Sequence, residues 1–265
     1  MAYSIHEFDM LIIKLDDANH RQRSQTQRAV ALARTALDQT FALVPIARAE
    51  GDSILTHLTR MSQQVSSLVG SLILDSRIVL DFWHAAEGWT ALRAEASAAA
   101  GKLEPANRPA GAFWEGLAAN AYRWVTPNQR SAVLRIDTVA HQVQVSLTWA
   151  AEAGVVFYLG ALAPLVKLTA VVVAALPALV SGVGTLPAAL ALVVAFADVL
   201  SQLLAVITMA AIVYAWAKVH LNNVRSEGFD TSSFPNGRWP EPRTELYDDG
   251  TVSDGDPSDW RPATN

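Results

Sequence analysis

The sequence contains no cysteine and few charged residues. Without cysteine, the chain has no disulfide, no cysteine-ligated zinc and no thiol nucleophile. Charged residues make up 17% and hydrophobic residues 51% of the 265 residues, which shifts the composition from that of an average soluble domain towards that of a membrane protein. The apolar part of the chain is therefore the most informative part.

A basic surplus is also missing. Residues 221–265 contain four arginines and nine acidic residues, and this difference equals the whole net charge of −5. No cluster of lysine and arginine is suited to a phosphate backbone, so we do not expect a nucleic-acid partner. The composition of 221–265 is typical of an acidic, disordered tail. The N terminus has no basic start before an apolar core, and we predict no cleavable secretory signal.

Motifs of catalytic and metal sites are not found in the sequence. It has no G-x-S-x-G string and no phosphate-cradling glycine loop. His84 and Glu87 fall on one helix face without a third ligand, and the aspartates of the tail lack the glycine and the closing glutamate of a calcium loop. We predict that the chain is not an enzyme and that it binds no metal and no cofactor.

Two stretches before residue 153 have helical patterns. Residues 4–50 begin with a capping box, Ser4 and Glu7, and we predict one helix that Gly51 ends, as a first segment over 1–51. Residues 53–99 carry a long apolar stripe, a linker rich in proline and glycine follows over 101–111, and the helical pattern resumes over 117–151. These form a second segment, 52–152, in which we expect Pro127 to kink or split the second helix near Thr126.

The third segment, 153–220, is an apolar helical hairpin. Between residues 153 and 217 there are only two charges, whereas a membrane span needs roughly 20 apolar residues. We predict spans near 155–180 and 186–217, separated by the break at Ser181–Thr185. The alternative is a hairpin buried inside a soluble bundle. The remainder of the chain, 221–265, forms the tail.

The two charges of the hairpin are Lys167 and Asp198. They lie at similar distances from the break, so in an antiparallel hairpin they have similar depths and can form an intramembrane ion pair. Lys167 can instead mark the start of a shorter first span at Leu168. Arginine and lysine on both sides of the hairpin predict that its two ends stay on one side of the membrane while the turn crosses.

The string Ala112–Tyr122 is the most specific motif. Glycine permits a tight turn, the indole before it can wedge between two helices, and the alanines after it allow close approach. The string resembles the WXG superfamily, the helical-hairpin substrates of type VII (ESX) secretion in actinobacteria and related bacteria. The match is carried by five residues: Trp114, Gly116, Ala118, Ala119 and Tyr122.

The resemblance implies a fold and a function. The fold it implies is all-α, with a long antiparallel helical hairpin that turns at W-x-G. The apolar hairpin and the acidic tail after it are similar to the larger Esp-type substrates, whereas the extra N-terminal helix over 4–50 is atypical of the family. The family's export signal, a Tyr followed four residues later by Asp or Glu, is missing after the hairpin; only Tyr3 and Glu7 have that spacing. We therefore expect a paired partner of the WXG type, or a homo-oligomer.

Three functions remain open from the sequence. The first is a type VII secretion substrate, secreted or membrane-associated, that acts by assembly and insertion into a lipid membrane. The second is a resident scaffold protein of the cytoplasmic membrane. The third is a pore-forming or toxin-like effector in which the apolar hairpin forms the pore.

Overall fold

The computed structural model describes residues 4–107, 114–115, 117–228, 231–241 and 261–262, and most of these residues are helical. The α-helices among them are α1 (Ile5–Thr40), α2 (Pro45–Asp75), α3 (Arg77–Lys102), α4 (Leu117–Leu179) and α5 (Thr185–Gly228). Short 3-10 helices cover Pro105–Asn107, Thr231–Ser233 and Pro235–Gly237. The two-residue strand β1 (Trp114–Glu115) pairs antiparallel with β2 (Arg261–Pro262). The predicted all-α class is confirmed.

Helix α1 begins at the predicted capping box. The backbone N–H of Glu7 donates to the Ser4 hydroxyl at 3.2 Å, and the Glu7 carboxylate accepts from the Ser4 backbone N–H at 2.7 Å. Both bonds use groups that the first turn of a helix otherwise leaves without a partner. The bonds from the Ser4 backbone and hydroxyl stabilise the charged carboxylate, so they lower the pKa of Glu7 below its ordinary value of 4.5.

Acidification is expected to weaken the start of α1. A carboxyl whose pKa is lower in the folded state stabilises the fold above its unfolded pKa, and this contribution is lost as the pH falls through the folded pKa. The thermal midpoint should therefore fall below pH 4.5. Glu7→Gln should reduce this pH dependence, as measured by circular dichroism. A Glu7→Gln profile parallel to that of the unaltered chain would contradict the assignment.

The chain breaks before Pro45, and the predicted single helix over 4–50 is wrong. Helix α1 ends at Thr40, and α2 begins at Pro45, so this proline lies in the first turn of α2. Val44 has φ −123° and ψ 81°, outside the helical region, because a residue before proline is driven towards extended conformations. Gly51 does not end a helix; it lies inside α2, where an added Cβ would be 2.6 Å from Leu37 Cδ1. Its small size serves packing against α1.

Helix α4 runs through Pro127, so the chain is not split near Thr126, and the alternative of a kink there stays a prediction. Helix α4 also continues through Pro164 and Pro177 to Leu179. A proline removes one backbone hydrogen bond, and the bonds on either side persist where packing holds the helix together. Val125 and Thr126 are buried directly before Pro127. The predicted helix over 53–99 is divided only at Ser76, which keeps helical dihedral angles.

The chain forms two compact units, and the first comprises Met1–Trp83 and Trp149–Trp216. Its core combines apolar side chains of α1 and α2 with the inward faces of α4 and α5; among the largest fully buried are Phe8, Leu15, Leu37, Leu55, Leu58, Leu165, Leu168, Leu192, Phe196 and Leu203. A polar layer interrupts this core between α1 and α2. There the fully buried Gln22 donates to the hydroxyls of Thr26 and Ser62 at 3.1 and 2.9 Å.

The second unit comprises His84–Thr148 and Ala217–Asn265. Here α3 and the first half of α4 are antiparallel: residues late in α3, or just after its end, contact residues early in α4. Arg93 forms an ion pair with Asp137 at 3.4 Å, and Glu104 forms one with Arg130 at 2.6 Å. A small apolar cluster lies between these pairs, made mainly of alanines on α3 and of Val133 and Ile136 on α4.

Tyr158 satisfies a backbone carbonyl that the break at Ser76 leaves free. The Ser76 N–H bonds to the carbonyl of Ile73 at 3.2 Å, so the Leu72 carbonyl loses its usual helical donor. The hydroxyl of Tyr158, a side chain only 3% exposed, donates to that Leu72 carbonyl at 2.7 Å. Helix α4 is thereby fixed to α2 by a directed bond as well as by apolar contact.

Tyr158→Phe is expected to destabilise the first unit by about 1 kcal/mol, because it removes the donor to the carbonyl of the half-buried Leu72. The ring itself and its edge-to-face contact with Phe8, at 5.4 Å between centroids, are retained in this variant. Urea unfolding measures the loss. Unchanged stability would mean that water replaces the hydroxyl.

Candidate membrane-interacting hairpin

Helices α4 and α5 are joined by the turn that the sequence predicts at Ser181–Thr185. The Ser181 hydroxyl accepts from the Gly184 N–H at 3.0 Å, and the Thr185 hydroxyl donates to the Leu179 carbonyl at 2.9 Å. Gly182 has φ +75°, a conformation that disfavours other residues, and a Cβ there would be too close to the Thr40 hydroxyl. The turn is thus defined by side-chain caps and one glycine.

Each helix of this hairpin is long and apolar enough to cross a bilayer, over Ala119–Leu179 and Thr185–Ser226. Only 28% and 22% of their most apolar windows are buried. A helix at the core of a soluble protein is mostly covered, whereas these two bury one face and leave the other open. Large side chains on the open faces include Val156, Val166, Val173, Leu190, Val194, Leu204, Met209 and Ile212.

Two tryptophans form a pair at the open end of the hairpin. The ring centroids of Trp149 and Trp216 are 5.1 Å apart, and both side chains are about half exposed. Each lies about 45 Å along its helix from the turn, which matches the thickness of about 40–45 Å of a bilayer with its headgroups. Tyr214 lies beside Phe82 near the same end. Tryptophan and tyrosine favour the level of the headgroups in membrane proteins.

This aromatic pair was not predicted as a site from the sequence. A signal for it exists, since Trp149 and Trp216 lie at almost equal distances from the break at Ser181–Thr185. Equal spacing becomes a contact only when the two helices are antiparallel and rotated so that the two rings face each other. The helix rotation comes from the tertiary structure.

Lys167 and Asp198 lie on the open faces of α4 and α5, respectively, and both are exposed. Asp198 accepts a hydrogen bond from Gln202 Nε2 at 2.8 Å, one turn away on the same helix. Within the described part of the chain, no ion pair joins Lys167 to Asp198. The two charges have the similar depths that the sequence predicts, but they do not meet within one chain.

Helix α1 lies beside the hairpin in the first unit. A groove of about 640 Å³ is lined on one side by Lys14, Asp17 and Arg21 of α1 and on the other by apolar residues of α4, among them Val166 and Val173. The rim of the groove is charged on the α1 side and apolar on the α4 side, and Val166 and Val173 stay about half exposed beside it. Hydrocarbon would not tolerate the three charges of α1 at this position.

The residues of the W-x-G motif are only partly described. Trp114 forms β1 together with Glu115, and Gly116 lies outside the described residues. Ala118 falls in the first turn of α4, Ala119 is buried, and the Tyr122 carbonyl accepts a hydrogen bond from the Thr126 hydroxyl. The predicted wedge of the indole between two helices therefore stays a prediction.

Among the described residues, no group of three or more histidine, aspartate or glutamate side chains is arranged to hold a metal ion. The hairpin offers mainly apolar contact, the aromatic pair of Trp149 and Trp216 and, between residues 153 and 217, the two separate charges Lys167 and Asp198. Comparison with known protein families, curated proteins and solved structures gives no match to this chain.

Proposed function

We propose that this chain is a helical protein that inserts its apolar hairpin, residues 153–220 of α4 and α5, into a lipid bilayer. The observation that carries the proposal is the open apolar face that both helices keep when the rest of the first unit is folded. Such a contiguous face marks a site of membrane or protein contact. The length of the hairpin and the tryptophan pair at its base support membrane contact over protein contact for this face.

Insertion requires the hairpin to separate from α1 and α2. Lys14, Asp17 and Arg21 lie alongside α4, and their transfer into hydrocarbon would cost several kcal/mol for each charge. The buried polar layer joins α1 to α2 and not to the hairpin: Gln22 donates to Ser62, and Asn19 donates to the Ser66 carbonyl. The α1–α2 pair therefore keeps these hydrogen bonds when the hairpin leaves, whereas the bond from the Tyr158 hydroxyl to the Leu72 carbonyl has to break.

Export by a type VII system is the second part of the proposal. Its support is the resemblance of Trp114, Gly116 and Tyr122 to the WXG motif, together with the antiparallel contacts of α3 with α4 on either side of that motif. A folded form in which α1 and α2 cover one face of the hairpin suits a protein that is translocated first and inserted afterwards. A paired partner would supply the missing export signal.

Two experiments test these parts separately. Flotation of the purified chain with anionic vesicles, followed by carbonate extraction, tests insertion; recovery only in the soluble fraction would exclude it. Culture fractionation with and without a functional secretion ATPase tests export. Equal amounts in the medium of both strains would exclude the type VII route, and a chain found only in the membrane pellet of both would favour the resident scaffold.

A further inference from the structure

The open face of each hairpin helix carries one charge in an otherwise uncharged stripe. On α5 the stripe repeats at heptad spacing through small and apolar residues, Ala191, Val194, Asp198, Ser201, Ala205 and Thr208. On α4 the corresponding stripe is Val156, Ala163, Lys167, Ala170 and Ala174, of which Ala170 and Ala174 also line the groove beside α1. Heptad spacing of small residues suits close contact between helices. A single polar residue in such a stripe commonly fixes the register of the contact.

The two charges have the same height on the hairpin. Lys167 lies about 18 Å before the end of α4 at Leu179, and Asp198 lies about 20 Å after the start of α5 at Thr185, at a rise of 1.5 Å per residue. Both side chains are exposed on open faces and do not pair with each other in the chain. Opposite charges at one height on two outward faces are complementary between copies.

We propose that copies of this chain associate side by side through their hairpins, with Lys167 of one copy against Asp198 of the next. The contact joins α4 of one copy to α5 of its neighbour, and it is heterologous, so it generates a ring or a filament. It buries the open apolar faces and pairs the only two charges of the segment 153–217. The inference deepens the proposed insertion, since it concerns the same two helices.

Lipid alone is a poorer occupant of these faces. A hairpin surrounded by acyl chains would hold Lys167 and Asp198 unpaired near the bilayer centre, where isolated charges are costly. A second copy supplies the opposite charge at the correct height and the apolar stripe around it. The partner is therefore another copy of this chain.

Cysteine cross-linking tests this contact, because the chain has no cysteine of its own. Lys167→Cys and Asp198→Cys are purified separately, mixed, and oxidised in mild detergent and in anionic vesicles. The control mixture combines Lys167→Cys with Thr208→Cys, which lies on the same open face of α5 about 15 Å from position 198. A disulfide needs Cα atoms within about 7 Å, so the control pair is too far apart.

We expect at least about tenfold more dimer-sized product from the 167–198 mixture than from the control or from either variant alone. Equal yields at positions 198 and 208, or no product in either medium, would overturn the inference. If the chain floats with vesicles but the 167–198 mixture gives no cross-linked product, the contact between copies is overturned and the proposed insertion stands. Cross-linking in detergent without flotation would support the contact and overturn insertion.

Exchange of the two charges provides the second test. Lys167→Asp or Asp198→Lys alone places like charges together, and each should weaken self-association in detergent about tenfold, as measured by sedimentation. The double variant restores opposite charges, so its self-association should return to within about threefold of that of the unaltered chain. A double variant as weak as the single ones would overturn direct pairing. Both sites are exposed, so folding is not at risk.

Discussion

Val194→Asp is expected to reduce vesicle binding by about a hundredfold while the chain stays folded. Val194 is 67% exposed on the open face of α5, so an aspartate there remains in water in the soluble form. In the bilayer the same carboxylate would sit at hydrocarbon depth, where it costs about 2.5–3.5 kcal/mol relative to an apolar residue. Vesicle flotation measures the binding, and circular dichroism measures the fold.

Val219→Asp is the matched control for this change. Val219 is 58% exposed on the same helix, and it lies beyond Trp216, outside the segment between the aromatic pair and the turn. The added charge and the lost apolar area are the same, but the position is at or beyond the headgroups. Equal losses of binding in the two variants, or no loss in Val194→Asp, would contradict insertion of the hairpin.

Gly154→Leu is expected to destabilise the first unit by about 3 kcal/mol or more, the upper part of the range for overpacked cores. Even a Cβ at Gly154 would be 2.5 Å from Cγ2 of Val79 and 3.2 Å from its Cγ1. Valine is stiff about its first side-chain torsion, and Val79 is itself only 1% exposed, so it cannot turn away. Helix α4 would be pushed away from the start of α3.

Gly70→Leu is the control for helix propensity. Gly70 lies inside α2, and nothing lies within 4 Å of an added Cβ. Replacement of a helical glycine by leucine without steric conflict should stabilise by about 0.5–1 kcal/mol. Urea unfolding of both variants should give changes of opposite sign. A stabilised Gly154→Leu would show that α3 and α4 are not in close contact at Val79.

Much of the architecture could be predicted from the sequence because it depends on local patterns. The capping box at Ser4 and Glu7 needs only a spacing of three residues, and the turn after Leu179 needs serine, glycine and threonine in that order. The apolar character of 153–217 is a property of composition. These features are decided by residues that are close together along the chain.

Other features depended on residues far apart along the chain. Gly51 resembled a helix stop, yet it accommodates Leu37, and Pro127 resembled a break, yet α4 continues through it. Propensity is a weak preference of a few kcal/mol at most, and packing along a long helix overrides it. Predictions from local patterns therefore failed where tertiary packing requires a glycine or holds a helix together through a proline.

The sequence by itself determined that this protein is helical, that one segment is apolar enough to cross a bilayer, and that this segment holds one positive and one negative charge. Only the tertiary structure decided that α1 and α2 cover one face of the hairpin, that Trp149 meets Trp216, and that Lys167 and Asp198 point outward without meeting. The physical reason is helix rotation. Composition and period set which residues share a face, whereas contacts between helices set which face turns inward.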